Sequence, residues 1–354
     1  MIFLNGRFLS QRTTGVQRFA REITTAMDDI LSAQEVVTPV TLVIPKGVPS
    51  TLNLNTIKVA WAGTFSGHVW EQIDLYRFSR NGVLVNLGNS GPLLHRSSIT
   101  IMHDAMVFRM PRNFSFAYRI AHQTIGRALA LRSDIGTVSD FSRRELMEVL
   151  GLRSVFIAHN GTEHLQRLQP DQTIHQKLGV LPGRYFLAVG SRAPNKNLAA
   201  LSQALDRLGA DAPKLVVVGG GARIFGSTDE KLHPSIVLAG PASDAALAAL
   251  YQGAIALLFP SLYEGFGIPP LEAMTLGCPV IASDIPPVRE VCADAILYFD
   301  PHSPAAIAAA MTEMMASDRA GYIARGQIRS RMFSWRQSAQ ILLDRALRHG
   351  GTQP

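Results

Sequence analysis

Features typical of secreted, membrane-spanning and metal-dependent proteins are scarce in this sequence. Its 354 residues include two cysteines, Cys278 and Cys292, too few for a disulfide framework or a four-ligand zinc site. No apolar run reaches the ~18 residues that a membrane span needs, and the start, MIFLNGR, lacks the regions of a signal peptide. The chain contains no Asp-x-Asp motif and no His/Cys/Asp cluster with metal-ligand spacing. We therefore expect a reduced, cytoplasmic protein that needs no metal.

Charged residues make up only 17% of the chain, and their excess is positive, at +7. Residues 1–165 hold 17 Lys and Arg against 12 Asp and Glu, and residues 166–354 hold 17 against 15. Arginine supplies 28 of the 34 basic residues, and guanidinium suits phosphate and anionic lipid headgroups. An ordinary solvated surface explains this excess equally well. No Lys/Arg run or aromatic-interleaved basic stretch favours a nucleic-acid partner.

Apolar residues, by contrast, reach 47% and fall in short runs separated by helical stretches. These runs are continuous rather than alternating, which is typical of strands buried on both faces of a parallel sheet. Strands are predicted at Ile2–Leu4, Thr41–Ile44, Val83–Asn86, Ser98–Met102, Ile135–Thr137, Val155–Ala158, Tyr185–Val189, Lys214–Val218, Ile236–Ala239, Ala256–Phe259, Val280–Ser283 and Ile296–Phe299. The alternation predicts an α/β protein with two doubly wound, Rossmann-like units.

The domain division follows from a polar stretch, Gly161–Asp171, which is the best linker candidate. We place an N-terminal domain at residues 1–165, a second domain at 166–334, and a C-terminal helix and tail at 335–354. The last segment, Trp335–Arg348, is predicted to be an amphipathic helix. Its apolar face is predicted to contain Ala339, Leu342, Leu343, Ala346 and Leu347. The sequence leaves open whether this helix packs on its own domain or crosses back to the first.

The richest segment for chemistry is PSLYEGFGIPPLEAM, which follows an apolar strand. Gly265 and Gly267 permit tight turns and close approach of the backbone to a ligand. A helix predicted from Pro270 onward would present backbone N–H groups to an anion. Glu264 in the loop and Glu272 on the helix could then bind the hydroxyl groups of one ligand. For Glu272 alone, complementing the helix dipole is an equal explanation.

The form EGFGIPPLEAM, with seven residues between Glu264 and Glu272, resembles the signature of retaining GT-B glycosyltransferases of family 4. Further segments resemble that family in its order: TTGVQRF from 13, TIMHD from 100, TVSDFS from 137, IAHNGTE from 157, VGSRAPNKN from 189, VGGG from 218, GPASD from 240 and FSW from 333. The resemblance covers nearly the whole chain. It implies the GT-B fold, in which two Rossmann-like domains face a cleft, with the acceptor bound by the first domain and the nucleotide sugar by the second.

The resemblance also implies roles for residues of the second domain. Lys196 is expected to bind the donor diphosphate and to stabilise the charge that develops on it. Many family members carry an arginine directly after the glycine of this loop, whereas here Ser191 stands there and Arg192 follows. Arg192 is thus a candidate phosphate ligand, with a solvated loop arginine as the alternative. Glu272 is expected to bind the ribose hydroxyls and Glu264 the hydroxyls of the donor sugar.

Backbone groups and the first domain complete the predicted site. The backbone around Glu264 is expected to contact sugar and phosphate, through Gly265, Phe266, Gly267 and Ile268. His103 is expected to contact a sugar hydroxyl or stabilise charge near the reacting carbon; a core histidine bonded to the backbone is the alternative. Asp104 is a candidate to orient the acceptor hydroxyl. Gly15 could let N–H groups approach a phosphate, although a capping turn at Thr13 or Thr14 explains it almost as well.

The implied reaction is a front-face substitution in which the leaving diphosphate helps to take the acceptor proton and Glu264 is not a nucleophile. The expected donor is GDP-mannose, with a UDP- or dTDP-sugar as the alternative, and no cofactor is expected. The acceptor is expected to be a growing or polyprenyl-linked saccharide of polysaccharide or lipopolysaccharide assembly. Peripheral binding to the inner membrane is suggested by Arg77–Arg80 and Arg109–Phe114, which mix arginine with apolar groups. An ordinary surface with partly buried side chains explains these segments equally well.

Two other classes of function compete with a transferase. A dinucleotide-dependent oxidoreductase is suggested by VVVGGG from residue 216, but Ile224 occupies the position of the third glycine. The acidic residue expected ~20 residues on is also missing, since Leu238–Gly240 stands there. A non-catalytic sugar- or nucleotide-binding scaffold is the other alternative. The presence of Lys196, Glu264 and Glu272 together argues against it.

Overall fold

The computed structural model describes residues 1–33, 38–209, 212–220 and 232–351. The chain forms two compact units, and each is discontinuous in sequence. Unit 1 consists of Met1–Arg109, Phe116–Gly161 and Phe333–Pro354, whereas unit 2 consists of Met110–Ser115 and Thr162–Met332. The C-terminal segment therefore belongs with the N-terminal half of the chain.

The sheet of unit 1 is entirely parallel. Its strands within the described residues are β1 (Ile2–Asn5), β2 (Val40–Pro45), β3 (Lys58–Ala62), β4 (Val83–Asn86), β5 (Ser98–Ile101), β6 (Asp134–Thr137) and β7 (Phe156–Ile157). They lie in the order β3-β2-β1-β4-β5-β6-β7. The order reverses between β1 and β4, so the loops after these two strands diverge to opposite sides of the sheet.

The sheet of unit 2 repeats this arrangement. Its strands within the described residues are β8 (Tyr185–Val189), β9 (Lys214–Val218), β10 (Ile236–Gly240), β11 (Leu257–Phe259), β12 (Val280–Ser283) and β13 (Leu297–Phe299). They are parallel and lie in the order β10-β9-β8-β11-β12-β13. The reversal lies between β8 and β11, and this is the position at which open α/β sheets bind ligands.

Helices connect the strands, as parallel pairing requires. Those described are α1 (Gly15–Ser32), α2 (Gly67–Trp70), α3 (Tyr76–Ser79), α4 (Met106–Arg109), α5 (Phe116–Ala130), α6 (Asp140–Leu150), α7 (Thr173–Leu178), α8 (Leu198–Leu208), α9 (Asp244–Gly253), α10 (Ile268–Thr275), α11 (Pro286–Cys292), α12 (Pro304–Ala316), α13 (Arg319–Ser330) and α14 (Trp335–Gly351). Serine side chains cap several of them, as Ser139 does by accepting a hydrogen bond from the backbone N–H of Ser142.

The core of unit 2 lies between its sheet and the pair α8 and α12. Fully or almost fully buried residues from the strands, such as Phe186 and Ile281, pack there with Leu201 of α8 and Met311 of α12. Helices thus cover the apolar strands of the sheet. This explains why the apolar residues of these strands do not alternate with polar residues. This packing gives the sheet edge a rigid support for the loops that follow β8 and β11.

Three details differ from the sequence prediction. Strand β3 was missed, because it lies at the sheet edge and is partly exposed, with Trp61 52% exposed. Helix α10 begins at Ile268, two residues before the predicted start at Pro270. Helix α14 buries four of the five predicted residues but leaves Leu347 43% exposed, because position 347 lies at the margin of the buried stripe. Gly221, part of the VGGG segment, lies outside the described residues.

Candidate functional site

An open pocket lies at the carboxyl edge of the unit 2 sheet, where the strand order reverses. It encloses about 330 Å³, counting space open to solvent. The residues after β8 and β11 line it, among them Gly190, Ser191, Arg192, Lys196, Pro260 and Ser261. The loops after these neighbouring strands diverge, and the gap between them forms the pocket.

Two asparagines fix Lys196 beside this pocket. Asn195 Nδ2 donates to the carbonyl of Tyr263 at 3.3 Å, and the backbone N–H of Leu262 donates to the carbonyl of Asn195 at 2.8 Å. Asn197 has a φ of +54° and its Nδ2 donates to the carbonyl of Pro260 at 3.2 Å. The loop after β8 is thereby bonded on both sides of Lys196 to the loop after β11. The position of the lysine backbone thus follows from the hydrogen bonds of its two neighbours and not from its own side chain.

The side chain of Lys196 is paired with Glu264. Lys196 Nζ donates to Oε1 of Glu264 and lies 5.3 Å from the centre of the Phe259 ring. The two charged side chains are 22% and 13% exposed. The structure thus brings together the predicted diphosphate ligand and the predicted sugar ligand, which are 68 residues apart in sequence.

Glycines allow the loops to approach each other closely at this edge. A Cβ on Gly219 would lie 1.8 Å from the carbonyl oxygen of Gly190, so no larger residue fits there without moving the backbone. Gly219 also has a φ of +145°, a conformation that L-residues with a side chain rarely adopt. Gly190 N–H donates to the carbonyl of Val218 at 2.9 Å. Contact between the loops after β8 and β9 therefore depends on Gly219.

The segment after Glu264 turns sharply into α10. Gly267 is the N-cap, with a φ of +111°, and Ile268 is the first helical residue. Phe266 is buried, with 3% exposure, and anchors the turn, whereas Gly265 and Ile268 are half-buried. Pro269 and Pro270 carry no N–H, so the donors that this end of α10 offers near Glu264 are the N–H groups of Gly267 and Ile268.

Glu272 lies on α10 and is 6% exposed. Tyr251 Oη donates to its Oε2 at 3.0 Å, and His164 Nε2 lies 3.6 Å from its Oε1. Burial and the negative charge of Glu272 raise the pKa of Tyr251 well above its ordinary value, so the hydroxyl remains a donor. The sequence prediction missed Tyr251 and His164. For His164, the only sequence signal was its position in the predicted polar linker. For Tyr251, the sequence carried no signal of a role in the site.

The remaining predicted donor ligands lie along the pocket. Ser191 is half-buried and Arg192 is exposed, and both line the pocket. Ser261 is fully buried, and its hydroxyl has no hydrogen-bond partner within the described residues. A buried hydroxyl without a partner is costly, so Ser261 is a polar group that a ligand in this pocket could satisfy. The sequence prediction did not select Ser261.

In unit 1, His103 follows β5 and is held by the main chain. Its Nε2 lies 3.0 Å from the carbonyl oxygen of Leu87, and its ring contacts Phe19 edge to face. Burial lowers the pKa of His103 to about 4, although the bond to Leu87 works in the opposite direction. The ring is therefore neutral near pH 7, with its proton on Nε2 and an acceptor at Nδ1. This is the geometry of the backbone-bonded alternative, and the sugar contact stays a prediction, now for Nδ1.

Two further predicted residues of unit 1 take part in local turns. Asp104 Oδ1 accepts a hydrogen bond of 2.8 Å from the backbone N–H of Met106, at the start of α4. Gly15 is the exposed first residue of α1, and Thr14 is its N-cap. The backbone N–H of Thr14 donates to Gln17 Oε1 at 3.2 Å. The capping turn named as the alternative for Gly15 is thus present, and ligand roles for Gly15 and Asp104 stay predictions.

Three comparisons with known proteins found similar sequences and structures. The family model for glycosyl transferases group 1 matches residues 170–329. The chain is 30% identical over 263 residues to O-antigen chain mannosyltransferase B of Escherichia coli, covering 67% of each protein. It is 28% identical over 236 residues to O-antigen chain mannosyltransferase RfbU of Salmonella typhimurium, covering 64% of this chain and 63% of that one.

The fold is also found among solved structures. Sucrose-phosphate synthase from Thermosynechococcus elongatus matches with a TM-score of 0.74 at 15% identity, over 98% of both chains. Together with the two parallel sheets, this likeness confirms the predicted GT-B fold. From the family match and the Escherichia coli relative, the chain belongs to the glycosyl transferases group 1 family and is a glycosyltransferase.

Proposed function

We propose that this glycosyltransferase is a retaining enzyme that transfers mannose from GDP-mannose to a growing or polyprenyl-linked saccharide of a cell-surface polysaccharide. One observation carries the donor site: Lys196 lines an open pocket at the reversal of the unit 2 sheet and forms an ion pair with Glu264. A cation beside a carboxylate suits a ligand that joins an anionic diphosphate to a neutral polyhydroxyl group. No cofactor takes part, and the cytoplasm is the proposed location.

The reaction divides among the residues of unit 2 as follows. Lys196 holds the diphosphate and stabilises the charge that grows on its oxygen as the bond to the anomeric carbon breaks. Glu264 accepts hydrogen bonds from hydroxyls of the transferred sugar. Glu272, bonded to Tyr251 and 3.6 Å from His164, accepts hydrogen bonds from the ribose. The acceptor oxygen bonds to the anomeric carbon on the face that the diphosphate leaves, and a diphosphate oxygen takes the acceptor proton.

The choice of mannose is supported by the names of the two relatives, both of which are O-antigen chain mannosyltransferases. The base of the nucleotide has weaker support, since contacts to the base in this kind of fold come mainly from the backbone. GDP-mannose is therefore the first donor to test, and UDP- and dTDP-sugars are the alternatives.

A thermal-shift screen followed by product analysis tests the donor. GDP, UDP, dTDP and NAD are added separately, and a ligand at a hundredfold its Kd stabilises the protein by about 2.7 kcal/mol. We expect GDP to raise the melting temperature and NAD to leave it unchanged. Transfer from the sugar nucleotide of the best binder is then followed by mass spectrometry. If none of the three nucleoside diphosphates stabilised the protein, the donor site would be wrong.

The family membership leaves the oxidoreductase and scaffold alternatives without support. The oxidoreductase depended on a glycine pattern after β9, and part of it, including Gly221 and Ile224, lies outside the described residues. The described part of that turn, Gly219, serves the contact with Gly190. The NAD arm of the thermal-shift screen tests the oxidoreductase directly.

The acceptor is assigned to unit 1, whose basic excess suits a membrane surface. Residues 116–133 of this unit contain three arginines and no Asp or Glu. In this stretch α5 exposes Phe116 by 72% and Ile120 by 45%, one turn apart, and Leu131 just beyond the helix is 85% exposed. An exposed apolar stripe on a basic helix is the arrangement that binds anionic bilayers. We therefore propose that α5 docks on the anionic lipid surface that carries the acceptor.

Helix α5 is a better candidate than the two segments chosen from the sequence. The ring of Phe78 packs against Phe3 with centroids 5.7 Å apart. Arg109 forms ion pairs with Glu145 and Glu148, both at 2.6 Å, so its charge is already matched within the chain. None of the described helices is long and apolar enough to cross a bilayer.

Co-sedimentation with vesicles tests this surface. Vesicles of phosphatidylglycerol and phosphatidylethanolamine at low salt should pellet the wild-type protein, and vesicles of phosphatidylcholine alone should not. The double variant Phe116→Ser, Ile120→Ser should pellet several-fold less. Ile328→Ser is the matched control, because Ile328 is 68% exposed on α13 of unit 2. Equal pelleting of both variants would remove α5 from the proposal, and no pelleting of the wild type would remove the membrane.

A further inference from the structure

Lys196 and Glu264 neutralise each other in the described structure. The ion pair joins Lys196 Nζ to Glu264 Oε1, and at 22% and 13% exposure both side chains are largely out of water. The ring of Phe259 lies beside the ammonium group, 5.3 Å away. Solvent and salt therefore screen this pair less than a surface pair. The cation proposed to bind phosphate is held by one of the protein's own carboxylates.

A diphosphate that binds Lys196 has to draw the ammonium group away from Glu264. Within the described residues, Glu264 forms an ion pair with Lys196 and with no other cation. A largely buried carboxylate that loses its cation is destabilised, because at 13% exposure it regains only part of its hydration. Binding of the diphosphate is thus weakened by the energy of this pair, unless the ligand also brings donors to Glu264.

An intact nucleotide sugar brings such donors, and a free nucleoside diphosphate does not. The sugar is attached to the second phosphate, so its hydroxyls arrive next to Lys196 together with the charge that displaces Glu264. We propose that Glu264 is a specificity-determining residue, whose pairing with Lys196 disfavours the free nucleoside diphosphate and spares the nucleotide sugar. This inference depends on the proposed donor site. It makes the pocket prefer its substrate to its own product.

Calorimetric titration of the full chain with and without Glu264→Gln tests this role. GDP, UDP and dTDP are each titrated beside GDP-mannose, UDP-glucose and dTDP-rhamnose, with no acceptor present. The comparison uses the nucleoside diphosphate that the wild-type protein binds and the nucleotide sugar with the same base. Glu264→Gln should lower the Kd of that nucleoside diphosphate by about threefold to tenfold. The Kd of the nucleotide sugar should stay equal or rise. A misfolded variant cannot bind one ligand more tightly, so the expected sign is informative.

A second variant supplies the control. In a Lys196→Gln background, Glu264→Gln should not tighten binding of the nucleoside diphosphate, because the cation for which Glu264 and the diphosphate compete is absent. The effects of the two substitutions on the binding free energy are then non-additive. Unchanged or weaker binding of the nucleoside diphosphate by Glu264→Gln alone would overturn the inference. If the wild-type protein bound none of the three nucleoside diphosphates, the proposed function itself would fail, and the inference with it.

Discussion

The two units carry sheets of the same topology and use the same edge in different ways. In both sheets the strand order reverses after the first strand, between β1 and β4 in unit 1 and between β8 and β11 in unit 2. At this edge of unit 1, polar side chains are hydrogen-bonded to one another, and at the same edge of unit 2 there is a pocket. The topology therefore identifies the sheet edge at which a ligand can bind. The side chains at that edge determine whether their polar groups bond to one another or remain available to a ligand.

The polar network at this edge of unit 1 is built around Glu71, which is fully buried. Its carboxylate accepts hydrogen bonds of 2.9 Å from Asn5 Nδ2, Ser90 Oγ and His68 Nδ1. Arg7 Nε lies 3.0 Å from the same carboxylate. Burial alone would raise the pKa of Glu71, but the bond from His68 and the charge of Arg7 hold that pKa below its ordinary value. Every one of these polar groups has a partner inside the unit.

The open edge of unit 2 has polar groups that remain short of partners. The hydroxyl of Ser261 is buried without a hydrogen bond in the described part of the chain, and Lys196 has a single carboxylate beside it. Polar groups in this condition gain when a ligand supplies donors and acceptors. The comparison predicts that substitutions at the unit 1 edge change stability, whereas substitutions at the unit 2 edge change function.

The largest effect is expected at Glu71. Glu71→Ala removes a buried carboxylate and leaves Arg7 and His68 without their anion, which should cost about 3–5 kcal/mol of unfolding free energy. Urea denaturation followed by circular dichroism measures this cost. Glu145→Ala is the matched control, since Glu145 pairs with Arg109 on the surface of the same unit, where a pair is worth about 1 kcal/mol or less.

The pH dependence of the same variant sharpens this prediction. Because the folded state depresses the pKa of Glu71 below 4.5, its contribution is complete above that pH and is lost as the pH falls through the folded pKa. The stability difference between the wild type and Glu71→Ala should therefore shrink in acid. Equal stability of Glu71→Ala and Glu145→Ala at neutral pH would break the comparison between the two edges.

Lys196→Ala should have the next largest effect, on turnover more than on stability. Loss of ~1.4 kcal/mol of charge stabilisation in the transition state lowers kcat tenfold, and we expect a loss of at least this size. Steady-state kinetics with the donor from the thermal-shift screen measure it. The matched control is Lys177→Ala, because Lys177 is exposed on α7 of the same unit, 3.9 Å from Asp171. Wild-type kinetics in Lys196→Ala would refute the diphosphate assignment.

The sequence predicted the parts of this architecture that depend on local pattern. Continuous apolar runs marked the buried strands, four of them with the bounds observed, such as Tyr185–Val189. Strand β3 escaped because an edge strand with Lys58 and Trp61 exposed has no continuous apolar run. The buried stripe of α14 was predicted from helical spacing alone, apart from Leu347. Burial on both faces leaves a clear signal in sequence, and partial burial does not.

The residues of the candidate site fall into the same two groups, those that a local sequence pattern reveals and those that it does not. Lys196, Glu264 and Glu272 stood out because their segments resemble a family, and the structure adds the ion pair between the first two. Tyr251 and His164 could not be found in this way. They contact Glu272 from positions 21 and 108 residues earlier in the chain, and only the tertiary fold brings them together. Supporting residues of a site carry no local pattern, whereas ligand-binding loops do.

Tyr251→Phe tests such a supporting residue, with a smaller effect. Removing a hydrogen bond to the charged Glu272 should raise the Kd of a ribonucleoside diphosphate about fivefold. The Kd of the matching 2′,3′-dideoxynucleoside diphosphate should not change, because it brings no hydroxyl to Glu272. Isothermal titration measures both values. Tyr185→Phe is the matched control, since Tyr185 is equally buried and its hydroxyl bonds to the carbonyl of Leu250 and not to Glu272.

A ribose-independent loss of affinity in Tyr251→Phe would indicate general damage to the pocket. It would place Tyr251 among the structural groups, like those at the edge of unit 1. Equal losses in Tyr251→Phe and Tyr185→Phe would lead to the same conclusion. A loss confined to Tyr251→Phe and to the ribose ligand would instead extend the functional edge of unit 2 to residues that never touch the substrate.

The smallest effect is expected from metal removal, which should leave turnover unchanged. The charge of the diphosphate is proposed to be met by Lys196, by Arg192 and by the backbone N–H groups before α10, and side chains and amides do not leave with a chelator. Steady-state rates in excess EDTA measure this. Lys196→Ala is assayed beside the wild type, because a divalent ion could substitute for the missing charge. Loss of wild-type turnover in EDTA, restored by Mg²⁺ or Mn²⁺, would show that a metal shares the diphosphate with Lys196, and the open edge of unit 2 would then need an ion as well as a substrate.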